Sequence, residues 1–247
     1  MRGMTARAPS NRLLLIRHGE STANVAATAA EASGAEVIAV PTRDADVPLS
    51  ALGEQQATAL GARLSAFTRD GARVFSSPYL RAEQTARLAL GPDARVTIDE
   101  RLRDRELGVL DALTTLGVAR RLPEEAARKR WLGRFYYRPP GGEAWTDVAL
   151  RLRSFLRDTQ PGSPTAGTTI VFAHDAVVSL ALFVLLRFTE RELTEFLVTR
   201  PVGNASITIL EHDADGWNVA EFADDRHLAD AGLPATVHPG AARVDAE

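Results

Sequence analysis

Cysteine is absent from the 247-residue chain. That excludes disulfide staples, thiolate nucleophiles, cysteine zinc sites and iron–sulfur ligation outright. Lysine is nearly absent too: Lys129 is the only one, so basic charge is carried almost wholly by arginine. There is no basic excess either, because the formal charge is -3 and the pI is near 6.0. Phosphate-backbone binding needs such an excess or a concentrated basic face, so a nucleic-acid partner is not expected. Long apolar runs are missing as well. The longest, Val177 to Leu186, is about half of the roughly 20 residues that cross a bilayer, so no membrane partner is expected. The opening "MRGMTARAPSNR" has basic residues but no apolar stretch behind them, because Arg17 interrupts "LLLI"; it does not read as a secretory signal, and a cytoplasmic protein is expected.

What the chain has is enough apolar material, 45% of its residues, to bury one large core. Short apolar runs bounded by turn signals predict strands at 12–17, 72–77, 95–99, 168–174, 205–212 and 216–222. Between them lie helical patterns. Leu52, Ala59, Leu60, Leu64 and Phe67 share one face, Leu80, Ala86 and Leu90 another, and Trp145, Val148, Leu152, Phe155 and Leu156 a third. Alternation over most of the length predicts an α/β three-layer sandwich, a mostly parallel sheet with helices on both faces. Asp215-Gly216 marks a tight turn between the last two strands, hence an antiparallel edge hairpin. The expected organisation is a loosely ordered start over 1–10, one domain over 11–223 and a loosely ordered extension over 224–247. Residues 107–142 break the alternation and read as an insertion over the site.

In such sheets ligands gather at the carboxyl ends of strands. The stretch "LLLIRHGESTAN" ends a buried strand with Arg17 and His18, followed by a glycine that lets the backbone pass close to a ligand and by a helix start whose amides face outward. A second strand, "TTIVFAH", ends in His174, and a third is followed by "SSPYLRAEQTA", which supplies Arg81 from a helix. If those strands are neighbours, two guanidiniums and two imidazoles surround one cavity. That set suits a tetrahedral anion, since guanidinium forks match phosphate oxygens.

"RHGES" with Asn24, "SSPYLRAEQTA" at 76–86, "RLRDRELG" at 101–108, "PGGE" at 140–143 and "VFAH" at 171–174 resemble, in order and spacing, the histidine phosphatase superfamily, also called phosphoglycerate mutase-like. The resemblance covers roughly residues 12–212 and implies a role for each match. His18 matches the nucleophile that forms a phosphohistidine. Arg17 and Arg81 match the clamps on the phosphoryl oxygens, His174 a second donor to them, and Asn24 a polar residue lining the pocket. The family's general acid and base falls four positions before Gly108, at Asp104, where members close to the mutases carry glutamate; Glu106 is the competing candidate. The resemblance implies neither metal nor cofactor, and a small phosphate ester as partner.

Two departures bear on activity. Asp175 stands where the family usually has glycine, either weakening anion binding or pointing outward at the start of a helix; the outward, helix-capping reading is preferred. "GNASITIL" lacks the mutase proline-threonine-glycine signature, which favours a phosphatase over a phosphoglycerate mutase-type transfer. A silent phosphate-binding module is the third reading. Tyr136, Tyr137, Arg134 and Arg138 form either a lid that touches the leaving group or ordinary packing, and Glu143 either positions the pocket or begins the next helix. The acidic residues around His212 fit a hairpin turn better than a metal site.

Overall fold

The computed structural model describes residues 11–69, 71–163 and 167–238. The expected loose segment at 1–10 and the last nine residues lie outside that range. The strands are β1 (Asn11–Arg17), β2 (Ala72–Ser76), β3 (Thr97–Ile98), β4 (Thr168–Ala173), β5 (Ile207–Asp213) and β6 (Gly216–Asp224). They form one sheet in the order β3-β2-β4-β1-β5-β6. β1, β2, β3 and β4 run parallel, β5 pairs antiparallel with β1, and β6 closes the edge as a hairpin on β5. This is the expected mixed α/β sandwich. The third strand is shorter than its sequence predicts, two residues rather than five, and both are exposed.

Central position explains the apolar run of β1: Leu13 to Ile16 are each 3% exposed or less. A strand covered on both faces reads as a continuous hydrophobic stretch, and each such side chain contributes about 1.5–3 kcal/mol on burial. Alternate residues feed two cores. Leu13 and Leu15, with Val171 and Leu210, pack under α6 (Trp145–Thr159) and α7 (Asp175–Leu185). Leu14 and Ile16, with Ile170 and Phe172, pack under α2 (Ala51–Thr68) and α3 (Leu80–Leu90).

The first helix, α1 (Thr22–Ser33), starts with a reciprocal cap between Ser21 and Asn24 and ends at Gly34 in the left-handed conformation. The insertion folds as α4 (Thr115–Arg121) and α5 (Pro123–Tyr136), the latter kinked at Gly133, where φ is 73°. α8 (Glu190–Thr199) follows α7. No helix among the described residues is long and apolar enough to cross a membrane.

The segment after β6 departs from the expected loose extension. α9 (Arg226–Asp230) buries Leu228 and His227, and the chain beyond it runs back to the centre of the molecule. There Thr236 accepts from the Asn204 amide through its carbonyl at 3.0 Å, and Gln56 donates to the Pro234 carbonyl at 3.1 Å. Its polar composition hides a strap anchored by buried Leu228 and by hydrogen bonds to Asn204 and Gln56.

Two glycines fix how α2 meets the β1–α1 loop. A Cβ on Gly53 would lie 1.9 Å from the Glu20 carbonyl oxygen, and one on Gly19 would lie 2.5 Å from the Gly53 carbonyl oxygen. The glycine after His18 therefore makes room for a helix, which corrects the expectation that it makes room for a ligand. Gly53→Ala should lower stability by about 1–3 kcal/mol through overpacking, read from the urea midpoint at unchanged m-value.

Candidate active site

β1 and β4 are adjacent and parallel, and Arg17 pairs with Ala173, so the residues that follow, His18 and His174, come side by side. The ladder continues past the strand ends: the His18 amide donates to the Ala173 carbonyl at 3.0 Å, and the Ser77 amide to that of Phe172 at 2.9 Å. The two imidazole rings meet edge to face with centroids 5.2 Å apart. Arg81, on the second residue of α3, places its Nε 3.3 Å from His18 Nε2. The structure brings together Arg17, His18, Arg81, Asp104 and His174.

The tautomer of His18 follows from its neighbours. Nδ1 lies 2.6 Å from the Gly19 carbonyl, which can only accept, so Nδ1 carries the proton and Nε2 keeps its lone pair. Burial, reinforced by the nearby charges of Arg81, His174 and Arg17, holds the imidazole well below its ordinary value of 6.5. It is neutral at physiological pH.

His174 is fully buried, and its Nε2 is 2.8 Å from the Ser77 hydroxyl. Nδ1 faces the Asp104 carboxylate, which only accepts, so the ring proton falls on Nδ1 and Nε2 accepts from the Ser77 hydroxyl, which itself accepts from the Tyr79 amide. Nδ1 stands 3.3 Å from the Asp104 carboxylate without a hydrogen bond to it. Arg17 Nη1 donates to the Val202 carbonyl at 2.6 Å, while its Nε has no partner. Buried donors are rarely left unpaired, so Arg17 Nε, within the field of Asp104 and Arg81, is a donor left over for an anion.

Asp104 is the carboxylate at this centre, 3.1 Å from Arg81 Nη2. Burial pushes its carboxyl up, but His174 and Arg81 outweigh that and hold it well below the ordinary range. Glu106, the competing candidate, is exposed and accepts from the Tyr79 hydroxyl at 2.5 Å. Glu143 holds the segment between them: it accepts from Arg103 at 2.6 Å and Arg151 at 3.0 Å, and Arg151 also donates to the Asp104 carbonyl. Of the two roles weighed for Glu143, positioning is the one its contacts describe.

Asn24 reaches the His18 backbone only through Asn204. Its side-chain oxygen accepts from the Ser21 amide and, at 3.3 Å, from Asn204 Nδ2, which also donates to the His18 carbonyl at 3.1 Å. Asn204, buried and tied to Thr236, was not singled out from the sequence, nor were Ser77, Thr85 and Asp44. Thr85 accepts from the Gly19 amide. Asp44, from the α1–α2 connection, lies 2.9 Å from Arg81 Nη1. Only Thr85 and Ser77 left a trace, as members of the "SSPYLRAEQTA" string.

Asp175 corrects an expectation. It is the first residue of α7, where an acid is favourable, yet it does not point outward. It is half-buried and lines a pocket with Arg17, Arg134 and His238. Burial raises its carboxyl, opposed by Arg17 and Arg134. Of the four residues considered for a lid, Tyr137 is buried with its hydroxyl on Glu125, Tyr136 bonds Glu190, and Arg138 pairs with Asp147. Arg134 stacks on Trp145 at 4.0 Å and alone borders the site.

Ligand atoms of His18, Asp104 and His174 lie within 4.8 Å of one another, a spacing that one cation could bridge. Arg81 donates toward two of those groups, so a guanidinium already supplies positive charge at that point.

β1 ends on Arg17 and leads into His18, β4 leads into His174, and α3 brings in Arg81, so two histidines and two arginines converge at one end of the sheet. The chain matches the histidine phosphatase superfamily (branch 1) over residues 13–225, and it belongs to that family. It is 31% identical over 209 residues to a 2,3-bisphosphoglycerate-dependent phosphoglycerate mutase 2 of Gloeobacter violaceus, covering 83% of this chain and 87% of the relative. Among solved structures, mycobacterial glucosyl-3-phosphoglycerate phosphatase in complex with VO3 superposes with TM-score 0.67 at 26% identity, covering 86% of this chain and 98% of that one. The α-ribazole phosphatase of Shigella flexneri shares the fold, with TM-score 0.68 at 22% identity over 87% of this chain and 96% of that one.

Nitrogen NMR of the imidazoles should show His18 protonated on Nδ1 alone and not titrating near 6.5. The unfolded chain binds a proton there and the folded chain does not. This group's contribution therefore falls as pH drops below about 6.5, and the mutant His18→Phe should lose less stability over that interval.

Proposed function

We propose that this protein is a metal-independent phosphomonoesterase that works through a phosphohistidine on His18. The observation that carries the reading is the His18 ring itself, buried, with Nδ1 fixed on the Gly19 carbonyl and a lone pair on Nε2 facing Arg81. That arrangement prepares one nitrogen to attack phosphorus with no proton to lose first.

In the first step Nε2 forms a bond to phosphorus as the bond to the alcohol oxygen breaks. The Arg81 edge, Arg17 Nε and His174 Nδ1 donate to the three phosphoryl oxygens, where charge spreads in the transition state. Asp104 donates its proton to the departing alcohol. In the second step water attacks phosphorus, gives its proton to the Asp104 carboxylate, and the phosphorus–nitrogen bond breaks to release inorganic phosphate. Asn24 supports the pocket through Asn204 and the His18 carbonyl.

Asp104 must hold a proton to begin, yet in the free site it is held as a carboxylate by His174 and Arg81. A bound phosphoryl dianion supplies the correction. It draws on the same donors and sets negative charge beside the carboxylate, and both effects raise its pKa in the complex. A mutase reading takes support from the name of the Gloeobacter relative. It differs in outcome, since a mutase returns phosphate to the sugar acid whereas the hydrolase releases it.

His18→Ala should abolish turnover of p-nitrophenyl phosphate, and an acid-labile phosphoryl label should appear on wild type alone. Normal activity in the variant would sink the reading. Asp104→Asn should cost about 10²–10⁴-fold on an alkyl phosphate but much less on p-nitrophenyl phosphate, whose leaving group needs no proton. For wild type, kcat/KM on alkyl phosphates should decline as pH rises from 5 to 9, because the protonated fraction of a depressed acid shrinks with pH.

A further inference from the structure

Arg81 has two working edges, and they face different groups. Its Nε–Nη2 side looks onto His18 and Asp104, at 3.3 and 3.1 Å, and is the edge a phosphoryl group would share. Its other end is held by Asp44, whose carboxylate oxygens lie 2.9 Å from Nη1 and 3.2 Å from Nη2, while the Asp44 carbonyl accepts from Nη1 at 2.6 Å. The ring of Tyr79 supports the guanidinium from one side, 5.0 Å from its carbon. Asp44 thus fixes the direction of Arg81 and adds a carboxyl group behind it, which burial pushes up and Arg81 holds down.

Charge around that position is close to balanced before any ligand arrives. Among the described residues, Asp44, Asp104 and Asp175 stand against Arg17, Arg81, Arg134 and Arg105, the last held only by neutral carbonyls. Both imidazoles are shifted toward the neutral form. The neighbouring arginines of the covering segment are engaged elsewhere: Arg103 and Arg151 with Glu143, Arg105 with the Glu143 and Tyr137 carbonyls, Arg138 with Asp147. One phosphoryl dianion is accommodated by the two clamps and by the unpaired donors of Arg17 and His174. A second anionic group on the same molecule would enter a region already negative, in a partly buried site where water screens poorly.

We propose that the substrate is a phosphomonoester of a neutral or cationic alcohol, and that Asp44 is a specificity-determining residue that disfavours leaving groups carrying a carboxylate or a second phosphate. This rests on the phosphatase reading for the chemistry, but the selection itself is a property of binding. It places the substrate class apart from phosphoglycerate, whose carboxylate would need a cation, whereas Arg81 is already shared by Asp44 and Asp104. Specificity here comes from a repulsive element beside a common attractive one.

A matched pair tests it, because glycerol 3-phosphate and 3-phosphoglycerate differ by one carboxylate at similar size. The expected kcat/KM ratio favours glycerol 3-phosphate by about tenfold or more at low salt and narrows as salt is raised. Asp44→Asn keeps the shape and an acceptor for Arg81, and should narrow the ratio by improving phosphoglycerate selectively, where a merely structural role would weaken both esters alike. Titration calorimetry of both esters against His18→Ala separates the two claims. Tighter binding of glycerol 3-phosphate without any wild-type turnover would end the phosphatase reading and leave the selection standing. Equal or preferred handling of 3-phosphoglycerate by wild type, or binding of neither ester, would overturn the selection. If Asp44→Asn does not fold, the wild-type ratio and its salt dependence decide alone.

Discussion

The pairing of β1 with β4 is the constraint on which the rest depends. Two parallel strands far apart in sequence lie in a register that ends both at one level, Arg17 beside Ala173, and so sets two imidazoles 5.2 Å apart between their centroids. No side chain needs to reach for the other. Parallel ladders of this kind require both faces covered, and the two apolar cores on either side supply that cover. The site is thus a consequence of the same hydrophobic burial that holds the sheet.

Electrostatics then divides labour among chemically similar groups. His18 is kept neutral by burial among cations, whereas Asp104, also burdened by burial, is kept charged by His174 and Arg81. Each group's state is set by what surrounds it rather than by its own chemistry. Arg81 links them, touching His18 on one edge and two carboxylates with its remaining donors. A guanidinium carries enough donors in a fixed plane to do this, and an ammonium does not.

Much of the centre was legible because strand ends and helix starts leave local marks. Apolar runs closing on Arg17–His18 and on His174 placed both histidines at the correct edge, and the strings around Arg81 and Asp104 completed the set. What escaped were contacts made by chain segments without periodicity. Asp44 lies in an irregular connection, Asn204 acts through its side-chain amide on a backbone carbonyl, and the 226–238 strap is secured largely by carbonyls and amides that any residue provides. Gly19 was noticed for a sound reason, close approach, but the approaching body was a helix. Asp175 was legible as a departure, though not its direction, which depends on Arg17 and Arg134 lying across a pocket.

The strap also has a temporal side. Thr236 and Pro234 buttress Asn204 and Gln56, which in turn hold the His18 carbonyl and the Glu20 amide, so the loop after β1 leans on residues made much later in synthesis. A ribosome synthesises those residues after the sheet that they complete. During translation the sheet can assemble while the loop that carries His18 still lacks its last brace, which forms only once this stretch has left the exit tunnel.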